Sequence, residues 1–346
     1  MAQRHARAYH ALAPQCTIVA AMDIVRERAE AFCREFGIAH AFTNVDALLA
    51  ATDCNAVAIA SPDATHAPLA LQCLRAGRHV LCEKPLALSH GEALRMVEAA
   101  RTSGKVNLVN FTYRNLPALQ AIAALVNAGE IGEVRHVEAS YLQCWLSSKI
   151  WGDWRASPLW LWRLSRAHGS NGVLGDIGVH VIDLATFPVG PISEVFCRLT
   201  CFDKAPGNRI GEYHLDANDS AVMTVTFANG ALGTLHVTRW ASGHADRLFL
   251  KIAGTRGAVE LDTERATDRF RLCAGEDLDR AQWRDVSAAP VPTNFERFVR
   301  SIISGRPEQP DFARGAEVQQ VIDACLASHE GNAPVGIPAV LGEGAI

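Results

Sequence analysis

The chain has 346 residues, of which 49% are hydrophobic and 20% charged, and its formal net charge is -4 at pH 7. A chain of this length is long enough to form two domains, each with a core of its own. The small negative charge comes without any long basic run, which excludes the electrostatic signature of a nucleic-acid-binding protein.

The sequence shows neither a membrane span nor a secretory signal. It contains no run of about 18 uninterrupted apolar residues, and the opening MAQRHARAYHAL lacks the apolar core of a signal peptide. The ten Cys residues lie mostly in apolar segments without a CxxC pair, which indicates buried, reduced thiols rather than disulfides or a zinc site. The sequence therefore predicts a cytoplasmic protein without a metal.

Short β-rich runs alternate with helical patterns between Thr17 and Asn110. The runs in chain order are TIVAAM, NAVAIA, HVLCE and VNLVN, and a helical segment follows each of the first three. Runs that are nearly continuous in apolar residues, with short connections, are typical of parallel strands buried on both faces. Residues 1–112 are therefore predicted to form a doubly wound α/β domain that binds a dinucleotide.

After Thr112 the pattern becomes antiparallel. A helical segment, LPALQAIAALVNAG, precedes longer alternating runs, of which EVRHVEASYLQCW, ISEVFCRLTCF, AVMTVTF and ALGTLHVTRW are the clearest. An Asn-Gly pair at 229–230 predicts one hairpin, and the connection at 255–256 between DRLFLKIAG and GAVELD predicts a second. A helix is expected over 311–329. Residues 113–346 are thus predicted to form an α+β domain with a mostly antiparallel open sheet.

Polar side chains follow the predicted parallel strands, at the sheet edge where ligands of such domains bind. At the end of the first run, Asp23 either accepts hydrogen bonds from ribose hydroxyls or caps the following helix. The polar residues that end the later runs are Ser61, Pro62, Asp63, Thr65 and His66, then Glu83 and Lys84, then Asn110 and Arg114. For the group from Ser61 to His66, the alternative is capping of the following helix. For Glu83 and Lys84, the alternative is a surface salt bridge before a turn.

The second half contains GSNGVLGDIGVHVIDLATF, residues 169–187. If a helix begins near Asp176, then Asp176, His180 and Asp183 form one polar stripe, because residues at i, i+4 and i+7 share a helix face. The carboxylate can then orient the imidazole or a substrate, and the His can exchange a proton near neutral pH. A capped helix with a core His is the alternative.

Five of the seven Trp residues lie between 145 and 162. This density predicts that several of them are partly exposed rather than packed into one short core segment. Aromatic faces that contact the C–H face of a sugar ring are one use of such a segment, and an oligomer interface is the other. On the first reading, Trp151 and Trp154 are candidates for substrate contact.

Two motifs, CEKPLA at 82–87 and GDIGVHVIDLA at 175–185, together resemble the Gfo/Idh/MocA family of NAD(P)-dependent oxidoreductases. The resemblance extends over nearly the whole chain. It implies that Lys84 reaches the nicotinamide and the reacting hydroxyl, and that Glu83 holds that turn and the cofactor in place. It also implies that Asp176 binds substrate and that His180 is the acid/base residue, which takes the hydroxyl proton while Lys84 stabilises the developing negative charge.

The resemblance implies an enzyme that transfers hydride between a sugar or cyclic polyol hydroxyl and NAD(P). The implied cofactor-binding residues are Asp23, Ser61, Pro62, His66, Glu83, Lys84, Asn110 and Arg114. Because a carboxylate at Asp23 repels a 2′-phosphate, NAD is predicted over NADP. A non-catalytic NAD-binding regulator and a redox-cycling glycosidase on the same scaffold are the alternatives. A homo-oligomer, either a dimer or a tetramer, is expected to form through the open sheet of the second domain.

The chain departs from the family pattern at its beginning. A dinucleotide-binding domain opens with a strand and a G-x-G-x-x-G/A loop, and neither precedes Asp23. Ala2 lies 21 residues before Asp23, close to the spacing of about 20 between such a loop and the ribose carboxylate. Met1 and Ala2 therefore resemble the last two positions of the loop. We expect the first strand and the glycine loop to be missing here, and the natural product to be about ten residues longer.

Overall fold

The structure of the protein is a computed structural model, and it describes residues 1–338. The chain forms two compact units. The first unit consists of Met1–Thr112 and Pro292–Ala316, and the second consists of Tyr113–Val291 and the described residues from Glu317 onward.

The first unit opens with a helix and then alternates strands and helices. Its elements up to residue 112 are α1 (Ala2–His10), β1 (Ala20–Met22), α2 (Arg26–Phe36), β2 (His40–Phe42), α3 (Val45–Ala51), β3 (Ala56–Ile59), α4 (His66–Arg75), β4 (His79–Cys82), α5 (His90–Ser103) and β5 (Asn107–Val109). The predicted alternation of strands and helices is confirmed. The sequence patterns missed β2 and α3, because each is too short to show a clear period.

The strands of the first unit form two parallel sheets. One contains β1 and β2, and the other has β4 between β3 and β5. In the central strand β4, Val80, Leu81 and Cys82 are completely buried, as expected where a parallel sheet is covered on both faces. Because β3, β4 and β5 are parallel, their last residues, Ile59, Cys82 and Val109, lie at the same edge of the sheet. The predicted cofactor residues of this unit follow directly after these strand ends.

The second unit is built on one large sheet with helices on one face. Its elements up to residue 291 are α6 (Pro117–Asn127), β6 (Val134–Leu142), α7 (Pro158–Leu161), α8 (Val179–Val189), β7 (Ile192–Thr200), β8 (Arg209–Ile210), β9 (Tyr213–His214), β10 (Ser220–Phe227), β11 (Leu232–Thr238), β12 (Arg247–Gly254), β13 (Gly257–Asp262), β14 (Arg269–Ala274) and β15 (Arg284–Ser287). The described chain ends with α9 (Asn294–Ser304), α10 (Phe312–Gly331) and β16 (Val335–Gly336).

The strand order of the large sheet is β15-β14-β13-β12-β6-β11-β10-β7-β16. Its neighbours are antiparallel except β11 and β6, which are parallel. Both predicted hairpins are present, as β10 with β11 and as β12 with β13. At the first hairpin it is Gly230 that takes the positive φ, 84°, the conformation that glycine adopts without steric cost. The predicted antiparallel second half is therefore confirmed.

Alternating residues of this sheet face a buried and an open side. In β6 the residues Val137 and Ala139 are fully buried under α8, whereas Glu138 between them is exposed. On the open side Val222 and Leu232 are 51% and 57% exposed. The sheet thus has one face that packs on helices and one that carries exposed apolar side chains.

Residues 292–316 belong to the first unit, although the sequence-based division placed everything from 113 to 346 in the second domain. In α9, Phe295 and Phe298 pack into a buried cluster with Leu81 and Leu108 of the parallel sheet. The boundary differs because an amphipathic helix shows which of its faces is apolar but not which distant strand that face will cover.

Candidate active site

The EKP motif begins directly after β4 with a buried carboxylate. Glu83 is 4% exposed and accepts hydrogen bonds from His5 Nε2 at 2.6 Å, from Asn110 Nδ2 at 2.7 Å and from the backbone N–H of Lys84 at 3.3 Å. Asn110 is itself held by Asn294 Nδ2, 3.2 Å from its Oδ1. Glu83 is therefore the centre of a buried network that joins α1, the end of β4, the end of β5 and the start of α9.

This network keeps Glu83 ionised. Burial by itself raises the pKa of a carboxyl group, but the hydrogen bond and charge of His5, the Asn110 amide and the Lys84 cation outweigh it and lower the pKa of Glu83 to about 2. A carboxylate enclosed in this way fixes the turn after β4, and Lys84, the next residue, is partly exposed. Of the two charged residues of the motif, Glu83 is thus buried and Lys84 is partly exposed.

His66 connects the loop after β3 with the EKP turn. Its ring is fully buried, with Nδ1 2.7 Å from the carbonyl oxygen of Pro85 and Nε2 3.0 Å from that of Ser61. The Ser61 hydroxyl lies 2.5 Å from the Thr65 hydroxyl. These contacts bring together the predicted cofactor residues after β3 and after β4, and they occupy both nitrogens of the imidazole with main-chain oxygens.

Asp23 follows β1 and is partly exposed. Its Oδ1 accepts a hydrogen bond from the backbone N–H of Val25 at 2.8 Å, the arrangement of an Asx turn. The helix-capping alternative for Asp23 is not what the structure shows, because Val25 is the N-cap residue of α2. The turn instead fixes the direction of the carboxylate at the end of the strand.

The GDIGVH motif lies on a continuous helical segment. A π-helical turn at Leu174–Gly178 leads directly into α8, and such turns occur frequently at functional sites. The start of the segment is fixed by Asn218, which accepts hydrogen bonds from the backbone N–H groups of Val173 and Leu174 at 2.8 and 3.1 Å. At Gly172, with φ +66°, any Cβ would lie 2.5 Å from the Asn218 side chain, so this position requires glycine.

Asp176 on the π-helical turn is paired with an arginine that the sequence analysis missed. Asp176 Oδ2 accepts a hydrogen bond from Arg239 Nη2 at 2.9 Å. The Asp176 side chain is 32% exposed, whereas that of Arg239 is completely buried. Burial lowers the pKa of Arg239, and the Asp176 carboxylate opposes that shift. The pair therefore presents a partly open carboxylate over an enclosed guanidinium.

His180, one turn after Asp176, is 6% exposed and packs edge-on against the Tyr113 ring, with centroids 4.8 Å apart at 83°. The Tyr113 hydroxyl lies 2.5 Å from that of Tyr141, which donates to Asp246 Oδ1 at 2.6 Å. Burial and the neighbouring Tyr113 and Asp246 raise the pKa of Tyr141, so it stays a neutral donor. Aromatic packing thus fixes the imidazole orientation.

Asp183, the third residue of the predicted stripe, has a different environment. Arg114 donates to its two carboxylate oxygens at 2.6 and 2.7 Å, and both side chains are 4% exposed. The Arg114 guanidinium also lies over the Phe187 ring, 3.5 Å from its centroid. The sequence grouped Arg114 with Asn110 at the cofactor edge, whereas the structure places it in the second unit, enclosed with Asp183. The Arg114 guanidinium is therefore engaged in an enclosed ion pair with Asp183.

Of the five Trp residues between 145 and 162, two are buried and three are partly exposed, as the sequence predicted: Trp145 and Trp154 are buried, and Trp151, Trp160 and Trp162 are partly exposed. Trp154 is 1% exposed, donates its indole N–H to the Leu146 carbonyl at 3.2 Å and belongs to a buried apolar cluster with Trp145. It has no open surface for the substrate contact expected from the sequence, because the surrounding apolar side chains enclose it. Trp151 is partly exposed and stacks on Trp160, with ring centroids 5.7 Å apart at 15°.

Among residues 1–338, no helix is long and apolar enough to cross a membrane. The same residues contain no group of three or more His, Cys, Asp or Glu side chains that could hold a metal ion. All ten Cys residues are free thiols.

A parallel α/β unit with polar strand ends, joined to an antiparallel sheet that carries the Asp-His helical segment, is the architecture of an NAD(P)-dependent oxidoreductase. Residues 1–111 match an oxidoreductase family with an NAD-binding Rossmann fold, and residues 119–260 match the GFO/IDH/MocA C-terminal domain. The chain belongs to the Gfo/Idh/MocA family of NAD-binding oxidoreductases, and the predicted family, fold class and enzyme class are confirmed.

Characterised relatives match over most of the chain. The chain is 30% identical to an inositol 2-dehydrogenase of Rubrobacter xylanophilus, over 96% of this chain and 89% of that protein. It is 29% identical to a levoglucosan dehydrogenase of Pseudarthrobacter phenanthrenivorans, over 91% and 88% of the two proteins. A solved structure of levoglucosan dehydrogenase in complex with NADH has a TM-score of 0.87 at 29% identity and covers 98% of this chain and 97% of that chain.

Proposed function

We propose that the protein oxidises a secondary hydroxyl of a neutral sugar or cyclic polyol, with NAD as the hydride acceptor, or catalyses the reverse reduction. One observation carries the proposal. Asp176 and His180 lie one turn apart on a rigid helical segment, with the carboxylate partly open and the imidazole fixed by aromatic packing. The relatives named inositol 2-dehydrogenase and levoglucosan dehydrogenase support a hydroxylated ring as substrate.

The first unit has residues that fit a dinucleotide. Asp23 offers an oriented carboxylate at the end of β1, and a carboxylate there suits free ribose hydroxyls. The other proposed cofactor residues lie at the connected edge after β3, β4 and β5: Ser61, Pro62, His66, Glu83, Lys84 and Asn110. We assign His66 and Glu83 to holding that edge, since their polar atoms are occupied by protein partners. NAD, when bound, supplies the hydride acceptor.

The roles of the catalytic residues follow from the chemistry of alcohol oxidation. His180 takes the hydroxyl proton, a step for which an imidazole is suited near neutral pH. Lys84 donates a hydrogen bond to the same oxygen and stabilises its negative charge as the proton leaves. Asp176 accepts a hydrogen bond from a neighbouring hydroxyl and orients the ring.

Two surface features complete the proposal. Trp151, partly exposed on its stacked partner, is assigned to the wall of the substrate pocket. The open face of the large sheet, with Val222 and Leu232 about half exposed, is assigned to a homo-oligomer, a dimer or a tetramer. Light scattering on the purified protein tests the second assignment, and a monomer at all concentrations contradicts it.

We assign the protein to the cytoplasm because all ten Cys residues are free thiols, which suits a reducing compartment. Cell fractionation tests the assignment, and recovery of the activity outside the cytoplasm contradicts it.

The experiment that tests the function is a screen for NADH formation with levoglucosan, inositols, sugars and sugar acids. We expect one of the neutral ring substrates to give stoichiometric NADH with wild type, and NADH formation to be at least about 100-fold slower with His180→Ala or Lys84→Ala. Circular dichroism of the two variants serves as the control for folding. Cleavage of a glycoside without net NADH would favour the redox-cycling glycosidase instead. Binding of NAD without turnover of any compound would favour the regulator.

A further inference from the structure

Arg239 is a fully buried charged residue that contacts Asp176. It follows β11, its side chain is completely buried, and its backbone N–H donates to the carbonyl of Asp219 at 3.0 Å. Its guanidinium makes two polar contacts, from Nη1 to the carbonyl of Arg163 at 3.1 Å and from Nη2 to Asp176 Oδ2 at 2.9 Å. Its Cζ lies 5.1 Å from the Trp145 ring centroid. The side chain is thus fixed on several sides.

A second buried ion pair lies next to Arg239. Lys204 Nζ is 2.7 Å from Asp219 Oδ2, and both side chains are fully buried. The Asp219 carboxylate also raises the pKa of Arg239 by its negative charge. Each of the two buried cations thus has a carboxylate partner, as a charge in a protein interior generally requires. Of the four, Asp176 is the one with an appreciably exposed side chain.

Resting on the proposed function, we propose that Arg239 is the positioning residue for substrate binding by Asp176. An exposed aspartate turns freely about its side-chain bonds and must be ordered when substrate binds, which costs affinity. A charge-assisted hydrogen bond from a buried guanidinium fixes Oδ2 in advance. Asp176 then receives a substrate hydroxyl as an already oriented acceptor. Arg239 acts through Asp176 and does not itself touch the substrate.

A structural role alone predicts a different pattern from a positioning role. If Arg239 only stabilises the fold, its replacement lowers stability and the amount of active enzyme, but leaves the KM for the sugar unchanged. If it positions Asp176, the loss appears mainly in the KM for the sugar, the KM for NAD does not change, and the loss depends on the presence of the Asp176 carboxylate.

The test is a double-mutant cycle of Arg239→Met, Asp176→Asn and the combined variant, assayed on the best substrate among levoglucosan and the inositols. We expect Arg239→Met to raise the KM for the sugar about tenfold and to lower kcat/KM by about 10- to 100-fold. In the Asp176→Asn background the same change should cost less than about threefold. Arg239→Lys should recover part of the loss, because it restores the charge but not the fixed guanidinium geometry.

Lys204→Met is the matched control, because it removes a buried cation of the neighbouring pair that does not touch Asp176. It should lower stability while the KM for the sugar stays within about twofold of wild type. A KM loss in Lys204→Met equal to that in Arg239→Met overturns the inference, and so do losses that multiply independently in the combined variant. If Arg239→Met does not fold, Arg239→Lys carries the test: an unchanged KM for the sugar overturns the inference.

The inference and the proposed function fail in different ways. If wild type turns over no sugar or polyol, the proposed function fails. The role of Arg239 is then tested by comparing the position of the Asp176 carboxylate in crystal structures of wild type and of Arg239→Met. If Arg239→Met does not fold, Arg239→Lys takes its place. The inference expects the Asp176 carboxylate to move or to become disordered in the variant. An Asp176 side chain that keeps its place without the guanidinium overturns the inference.

Discussion

The two Arg-Asp pairs of one helical segment differ in the number of their hydrogen bonds and in the exposure of the acid. At the Asp183 end, Arg114 makes two hydrogen bonds and both side chains are 4% exposed. At the Asp176 end, Arg239 makes one hydrogen bond to a carboxylate that is 32% exposed. The same residue types therefore give one enclosed pair, to which we assign a structural role, and one pair whose acid is partly exposed and is proposed to bind substrate.

The same contrast recurs between other residues of the chain. Three of these residues are buried, namely Glu83, Lys204 and Trp154. Their counterparts of similar chemistry are partly exposed, namely Asp23, Lys84 and Trp151. The residue types alone do not distinguish these two groups, because a carboxylate, an amine and an indole occur in each. Exposure of the side chain distinguishes them, which leads to opposite expectations for mutations in the two groups.

The largest effect is expected at the proposed catalytic residues, His180 and Lys84. His180→Ala and Lys84→Ala should each lower kcat by about 10²- to 10⁴-fold, the usual contribution of a positioned acid/base or charge-stabilising group, with little change in melting temperature. Lys204→Ala should instead lower the melting temperature with little change in kcat, because it leaves the Asp219 carboxylate buried without its cation. Steady-state kinetics and thermal unfolding measure both properties. A near-normal kcat in both His180→Ala and Lys84→Ala would remove the catalytic assignment.

The two Arg-Asp pairs should separate stability from activity. Asp183→Asn leaves Arg114 enclosed without its counter-charge, and breaking a buried pair in this way costs about 3–5 kcal/mol of unfolding free energy. Asp176→Asn should cost less than half of that, because water reaches the carboxylate, and its main effect should be shared between KM and kcat. Urea unfolding and steady-state kinetics on the same preparations test this. Equal losses of stability in both variants would break the comparison.

The closed carboxylate Glu83 should make stability depend on acid pH. Its pKa is about 2 in the folded chain against an ordinary value of 4.5, so the stabilisation is fully present above about pH 4.5 and is lost as the pH falls toward 2. A difference of this size corresponds to about 3 kcal/mol. The gap in unfolding free energy between wild type and Glu83→Gln should therefore narrow over this range. A gap that is constant with pH, measured by urea unfolding, would contradict the prediction.

The open carboxylate Asp23 should instead control cofactor choice. We expect calorimetry to show tighter binding of NAD than of NADP, because the carboxylate repels a 2′-phosphate. Asp23→Ser should reduce this preference about tenfold. Arg26, which is exposed and close in sequence, is the residue that can soften the preference. Tighter binding of NADP by wild type would refute the assignment of Asp23.

The smallest effect is expected at Trp151. Replacing its partly exposed indole with Ala should raise the KM for the sugar about threefold, since one face of an aromatic contact is worth about 0.5–1.5 kcal/mol. The oligomeric state, measured by light scattering, should stay unchanged. If Trp151→Ala changes the oligomeric state and not the KM, the Trp-rich segment is an interface and not a pocket wall.

Local patterns predicted much of the fold and of the Asp-His motif. The hairpin at 229–230 was predictable because adjacent residues determine a turn. The placement of Asp176 and His180 on one helical segment was also predictable, but the π-helical turn at Leu174–Gly178 was not, because the α-helical period does not reveal it. The contacts of Arg239 and His5 were not predictable in this way. Each pairs with a residue more than 60 positions away in sequence, and nothing in the neighbouring sequence distinguishes a buried cation from an exposed one.

The exposure of individual candidate site residues could not be predicted from the sequence either. Trp151 and Trp154 lie three residues apart in one segment, and their composition gives no reason to expect one partly exposed and the other enclosed. The short elements β2 and α3 were missed for a related reason, since three to seven residues do not establish a period.

Residues 292–316 are distant in sequence from residues 1–112 but belong to the same unit. This has a consequence for engineering and for evolution. The unit proposed to bind the cofactor is not a contiguous stretch of sequence, since Phe295 and Phe298 of α9 fill its core beside Leu81 and Leu108. A fragment ending at residue 112 would expose that apolar surface to water and should aggregate. Recombination between relatives therefore has to exchange both segments together, so a single crossover at the 112–113 junction should yield chimeras that fold poorly.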